Sequence, residues 1–568
     1  MLEAMTASTL SSPFIVQPIA KGGGGRTLKW RWPSSTSVLV ACAALVVLTT
    51  LVVALNPSTI FPFMTAAMPT TTLIGWKIKE AVPRCEKVVE LITRHDVGKP
   101  KETLQQRYKA FVANSGSFYR GTANLFWHDF VQEGWGEFNL SRIGIHSSIH
   151  DDSPLQRTSL WTWVTGDQHL NNFGAWQNRH GDVVFGVNDF DEAIIYDFQM
   201  DVWRLGVSVY SQAIANGLSD EEASAAVLTM CDSYVATVEG YIGNERAAVY
   251  EISDATATGR LAKWLAEVKA NQTHHKMLDK YTQLGADGRR KFKRGKKLRD
   301  VSAAFAEEVR HALNGTGYGA TMMKIGWHAR LWDPTSGGTS FQVVDVAQVI
   351  GAGVGSFGVG RYYVLLAAPD SDHTDGDDVV AADAGVILDV KFEPPPAATG
   401  ALNPYERAWY ETQFLNNAAR TALAQRALTS FTDPWVGWAR INGSHYAVRQ
   451  RSAWKASFDL SQLRDYAEYA AFVSQVAAST ATSHARSSVG KSPGSFKEVL
   501  AAVLGQSSAR ATWSMAVSLT AAAYHEQVQL DYACFSEYYK QTFLALELQA
   551  GGRGGAVAHE DAWEHGEL

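Results

Sequence analysis

With 568 residues and 46% hydrophobic content, the chain can bury a large core, and its size allows about two to four domains or one large two-lobed unit. A net charge of −6 and a pI near 6.3 exclude the basic excess of a nucleic-acid scaffold, so no nucleic-acid partner is expected. Four cysteines are too few for a disulfide framework and lack metal-ligand spacing; with Cys42 inside an apolar stretch, Cys85, Cys231 and Cys534 allow at most one bridge.

Residues 1–36 are dominated by Ser, Thr, Gly and Pro and read as a tail. Residues 37–55, SVLVACAALVVLTTLVVAL, form a 19-residue uncharged run, long enough for a transmembrane helix. Lys21, Arg26, Lys29 and Arg31 precede it and no charge follows until Lys77. That bias predicts a single-pass anchor with a cytosolic N-terminus and a lumenal or extracellular body. Organelle targeting is the alternative, since Glu3 is the only acid before Glu80. Sequons at Asn139, Asn271, Asn314 and Asn442 fit a lumenal body.

After a stalk over 56–103, a helix near 105–113 opens a first half that runs to 339. A helix over 201–216 stops at Asn216-Gly217, and SDEE at 219–222 is a capping box for the next. The basic run RRKFKRGKK at 289–297 reads as a solvated loop or helix face, with a phosphate- or lipid-headgroup patch as the alternative. Residues 340–395 are strand-like, with runs at 341–350, 361–366 and 386–391 and an acidic loop at 370–378. From Asn403 the pattern is mostly helical; Leu463, Tyr466, Ala470, Val473, Ala477 and His484 share one face. The divisions are therefore 104–339, a glycine- and lysine-bearing subdomain at 340–460, helices at 461–548 and a polar tail at 549–568. Two helical blocks around a small sheet predict an α+β class.

The densest chemistry lies in TGDQHLNNFG at 165–174, followed by VFGVNDFDEA at 184–193. Phosphoryl transfer needs an acceptor for the substrate hydroxyl proton and hard oxygen ligands for Mg²⁺. Asp167 with Asn172 on one short loop, and Asp189 after the strand at 183–187, supply these. Alone, this spacing is also that of a polar turn before an Asx-rich strand end. A metal-dependent hydrolase is the rival, with Asp167, His169, Asp189 and Asp191 holding Mn²⁺ or Zn²⁺.

A second cluster, GVGSFG at 353–358, follows a hydrophobic strand and brings Gly353, Gly355, Ser356 and Gly358 into a phosphate-cradling pattern. A dinucleotide fold needs a helix next, whereas RYYVLL at 361–366 reads as a strand, so the glycines cap a hairpin. The following strand carries Lys391, the candidate ligand for nucleotide phosphates; Glu406 and Glu411 are candidates for its glutamate partner. The order is permuted relative to a kinase, with the catalytic loop ahead of the glycine hairpin, but docked halves rebuild the same cleft.

The chain resembles the mostly bacterial family catalogued as domain of unknown function 2252. The resemblance runs from Arg107 to Phe543 and rests on SFYRG at 117–121 with Asp129, GDQHLNNFG at 166–174 and NDFDE at 188–192. Further on it rests on GVGSFG at 353–358, Val390-Lys391, YAVRQ at 446–450, SHAR at 483–486, and YHEQ at 524–527 with Asp531 and Tyr532. Arg120, in the first of these, is a further candidate site residue. The Gly-Asp-x-His-x-x-Asn and Asp-Phe-Asp segments are similar to those of aminoglycoside and choline kinase-type phosphotransferases. That similarity implies Asp167 as base, Asn172 and Asp189 as metal ligands, Lys391 as phosphate ligand, and a circularly permuted, kinase-like two-lobed fold with extra helices. The cofactors implied are ATP and Mg²⁺, the acceptor an unidentified hydroxyl-bearing substrate. Thr165 stands where a histidine is common, and no partner glutamate is clear, so a non-catalytic nucleotide-binding pseudokinase is the second rival. If one nucleotide bridges the halves, Lys391 and Asp189 must lie within roughly 10 Å, with the helix ending at His484 beneath the catalytic loop.

Overall fold

The computed structural model describes residues 83–132, 138, 160–286, 289–314, 316–324, 332–333, 338–339, 342–351, 358–367, 385–488 and 496–544. All belong to one compact unit, Ile78–Leu568. The class is α+β. The expected membrane helix requires correction. Among the described residues no helix is long and apolar enough to cross a membrane. Residues 37–55 lie outside them. The transmembrane part of the fold assignment, and the single-pass localisation derived from it, are therefore withdrawn.

The first described helices are α1 (Arg84–His95), α2 (Lys101–Phe111), α3 (Ser115–Gly121) and α4 (Ala123–Val131). Strands β1 (Trp161–Val164), β2 (Phe173–Gln177), β3 (Val183–Val187) and β4 (Ile194–Asp197) follow, then helices α5 (Gln199–Ala215) and α6 (Asp220–Glu239). α5 ends where expected, with Gly217 at φ +88°, and α6 begins with the reciprocal Ser219–Glu222 capping box. β2 pairs antiparallel with β3 and β1 with β4. The loops leaving β1 and β3 therefore emerge side by side, which juxtaposes 165–172 with 188–193.

A six-stranded antiparallel sheet holds the second half of the motifs. Its strands are β5 (Leu298–Asp300), β6 (Val343–Val349), β7 (Arg361–Leu366), β8 (Val386–Phe392), β9 (Gly437–Ile441) and β10 (Ser444–Gln450). They lie in the order β9-β10-β8-β7-β6-β5. Between β8 and β9 come α7 (Pro404–Gln413) and α8 (Asn417–Leu428). The β9–β10 hairpin turns at Asn442-Gly443, both at positive φ, +47° and +80°. That is the turn an Asn-Gly pair favours, because its twist matches the strands.

Alternation along β8 decides what faces the cleft. Leu388 and Val390 enter one core with Val364, Val448, Val309 and Tyr318. Ile387 joins another with Tyr363, Leu365 and Tyr281. Asp389 and Lys391 share the Ile387 side by the two-residue period. The basic run at 289–297 is tied down: Arg290 pairs with Asp279, and Arg294 pairs with Asp300 and with Asp345 at 2.9 Å.

The chain closes with α9 (Tyr466–Ser487) and α10 (Ser507–Tyr539). α10 and α1 are joined by the Cys85–Cys534 disulfide, the bridge whose partners the sequence left open, while Cys231 is a buried free thiol. Beside the bridge, Arg84 bonds Asp129 of α4 (Nη2–Oδ2 2.8 Å) and Asp531 of α10 (Nη2–Oδ2 2.7 Å). Asp129 also accepts from the Tyr524 hydroxyl at 2.7 Å.

Candidate active site

The turn into the 165–172 loop is built on Gly166. Its φ is +72°, and a Cβ there would collide with the Glu192 carbonyl of the neighbouring loop. A side chain would therefore push the two loops apart. The loop backbone is held by Asp201 at the start of α5. Its carboxylate is fully buried and accepts from the Thr165 amide at 2.7 Å and the Gly166 amide at 3.0 Å. From α9, His484 places Nε2 3.1 Å from the Asp201 carboxylate and Nδ1 2.7 Å from the Tyr234 hydroxyl. Gln168 donates to Thr480 of α9 at 2.8 Å, so this helix does lie beneath the loop. Asp201→Ala is expected to orphan two buried amides and His484 and to destabilise the fold by roughly 2–4 kcal/mol, read as a drop in urea midpoint with an unchanged m-value.

Asp167 is partly exposed in the cleft and accepts from Arg204 Nε at 2.6 Å. Burial pushes its carboxyl up to about 7, against the pull of Arg204 and with the repulsion of Glu192 and Asp189 added. Arg204 lies within α5 and stacks over the Tyr119 ring at 4.3 Å. The Asn172 side-chain amide donates to the Asp167 carbonyl at 2.7 Å, which leaves its oxygen as an acceptor. His169 approaches Asp167 at 3.6 Å. Burial, then Arg120 and Arg204, push its imidazole well below the usual range, and Nδ1 is buried without a hydrogen-bond partner. Arg120 faces the same acids: burial lowers its guanidinium, Asp167 and Asp189 partly offset this, and its Nε is a buried donor without a partner.

Lys391 comes from the sheet to meet this loop pair. Its ammonium forms an ion pair with Asp191, a residue 200 positions away. Burial alone would raise Asp189, but Lys391, then Arg449 and Lys455, outweigh it and hold that carboxyl below its usual range. Arg420 of α8 braces the segment by donating to the Asp191 carbonyl at 2.6 Å.

The two glutamates proposed for Lys391 are placed otherwise. Glu406 caps α7 and accepts the Tyr196 hydroxyl at 3.1 Å, and Glu411 is exposed. Glu393, two residues beyond Lys391 and just past the end of β8, is only 4% exposed, and one carboxylate oxygen is buried without a hydrogen-bond partner. Burial, opposed by Lys391 and Arg420, lifts it to about 7. Of the glycine pattern, Gly353, Gly355 and Ser356 lie outside the described residues; Gly358 has φ +81° and packs against Thr103.

Sequence reading missed Asp201, Arg204, Arg420 and Glu393. Arg204 carried a signal, a lone cation in the apolar run Val202-Trp203-Arg204-Leu205. So did the acid–base–acid alternation Asp389-x-Lys391-x-Glu393.

A family model described as an uncharacterized protein conserved in bacteria, DUF2252, matches residues 99–538. The chain belongs to the DUF2252 family. Every candidate site residue named above lies inside that span, whereas Arg84 and Cys85 precede it. No curated protein and no solved structure matches the chain, and this DUF2252 member has an α+β fold.

Proposed function

We propose that this chain is an ATP- and Mg²⁺-dependent phosphotransferase acting on a hydroxyl of its acceptor. The observation that supports it is the meeting of Lys391 with the 188–193 loop, beside Asp167 and Asn172. Four residues of the kinds that phosphoryl transfer uses meet here, Asp167, Asn172 and Asp189 from one stretch of chain and Lys391 from a strand about 200 positions later. In this reading Asp167 orients the acceptor hydroxyl and takes its proton. Asn172 and Asp189 offer hard oxygens, and Mg²⁺ usually takes only one or two protein oxygens besides phosphates and water. When bound, the ion neutralises charge on the phosphates. Lys391 exchanges Asp191 for a phosphate, and Arg120 offers a second cation with an unused donor. The chain's contribution is thus positioning plus preorganised charge.

A hydrolase on Asp167, His169, Asp189 and Asp191 is less well supported. Among the described residues no group of three or more His, Cys, Asp or Glu side chains is arranged to hold a metal, and Asp191 is engaged by Lys391.

The test is ATP consumption by the purified chain with Mg²⁺, intact against Asp189→Ala. Equal consumption would falsify the phosphotransferase reading. Nucleotide-induced thermal stabilisation without turnover would indicate a binding module. Because Asp167 must be ionised to accept a proton and its carboxyl sits at about 7, turnover is expected to rise from about pH 6 to about pH 8. A rate that falls across that range would remove Asp167 as the base.

A further inference from the structure

Beside Lys391, on the β10 side of the cleft, lies a cavity walled by Asp389, Asp433, Arg449, Arg451, Ser452 and Lys455. Its charges do not balance. Asp389 is already matched by Arg361 in a two-point pair, at 2.8 Å and 2.5 Å. Arg449 stands 3.9 Å from the same carboxylate and donates to the Asn188 carbonyl at 3.0 Å. Asp433 is met by the amides of Trp435 at 2.9 Å and Gln450 at 3.2 Å, and by the Gln425 side chain at 3.3 Å. That leaves Arg451 and Lys455 with no carboxylate at ion-pair distance among the described residues. Arg451 donates from Nη2 to the Tyr281 hydroxyl at 3.0 Å, but its Nε is buried with no acceptor. The Lys455 side chain has no hydrogen bond or ion pair among the described residues. Enclosure, with Arg449, Arg361 and Arg451 around it, drives its ammonium well below the usual range.

Uncompensated cations and an orphaned N–H on one wall are expensive unless an anion arrives. A guanidinium fork beside an ammonium suits a phosphoryl group, with its several strong acceptor oxygens. We propose that Arg449, Arg451 and Lys455 form a phosphate-group site next to the Lys391–Asp189 centre, so that a molecule bound in the cleft presents a phosphate on the β10 side. It deepens the phosphotransferase reading by giving the substrate class: either the nucleotide's own phosphates run toward β10, or the acceptor is itself phosphorylated. The site is contiguous with the centre, because Arg449 donates to the carbonyl of Asn188, the residue before Asp189.

The experiment is calorimetric titration of the full chain with inorganic pyrophosphate, without and with saturating non-hydrolysable ATP analogue. The intact chain should bind pyrophosphate. Lys455→Met should weaken it by about 10–100-fold, the loss of one charged hydrogen bond, and Lys455→Arg should largely restore it. Removing an uncompensated cation should not unfold the protein, so Lys455→Met is expected to melt at or above the intact chain when no anion is present. Competition by the analogue assigns the phosphate to the nucleotide, and simultaneous binding assigns it to the acceptor. No pyrophosphate binding by the intact chain, or an unchanged Kd in Lys455→Met, overturns the proposal. Binding is read without turnover. Loss of this site therefore leaves the Asp189→Ala test standing, and an inactive chain that still binds pyrophosphate through Lys455 sinks only the phosphotransferase reading.

Discussion

Lys391→Met is expected to lower the rate of ATP consumption by on the order of 10²–10³-fold, the usual effect of deleting one preorganised charge at a reacting centre. The accompanying metal dependence should distinguish this from general damage. Lys391 pairs with Asp191, two residues from Asp189, and is the foremost cation holding the Asp189 carboxyl down. Without it, the acidic loop carries more uncompensated negative charge. The Mg²⁺ concentration for half-maximal rate should therefore stay level or fall while kcat collapses. A variant that instead needs far more Mg²⁺ at undiminished kcat would mean that Lys391 serves only to shape the loop. Lys391→Arg should recover part of the rate, limited by the poorer fit of a planar fork to a point-charge position.

The second large effect lies far from the cleft. Arg84→Ala is expected to destabilise the protein by about 3–5 kcal/mol, because it strands two carboxylates together. The Arg84 side chain is 14% exposed and those of Asp129 and Asp531 are 0% and 4%, so solvent screens the cluster little. Burial pushes the Asp531 carboxyl up and Arg84 is the chief influence pulling it back, so Asp531 is the group that should protonate in the variant. Urea unfolding at pH 7 and pH 5 reads both claims. The loss should be smaller at the lower pH, where protonation relieves the stranded charge. A midpoint that is unmoved would mean that the cluster contributes nothing net.

Much of the secondary structure was legible. The strand at 183–187, the strand at 361–366 and the capping box at Ser219 reproduce their expected bounds, because each rests on a local rule of period or turn chemistry. The β9–β10 hairpin was not read, although Asn442-Gly443 between 437–441 and 444–450 announces it. That segment follows α8 in a stretch dominated by helical periodicity. The site divides along similar lines. Asp167, Asn172 and Asp189 stand on short loops with recognisable spacing, whereas Asp201 and His484 act on the loop from 283 residues apart. No local pattern encodes such a pair. The sequence places candidate partners of Lys391 on the following helix, whereas the ammonium meets Asp191 across the cleft.

The bond between Cys85 and Cys534, 449 residues apart in sequence, has a topological consequence. Every site residue lies on the arc between them, which makes the folded body a covalent ring. A single proteolytic cut within that arc leaves one molecule of unchanged size until a thiol reductant is added. Only then does it part into two chains. Fragment patterns obtained without and with reductant therefore carry different information: after a single cut the first shows one intact molecule, the second shows the cut.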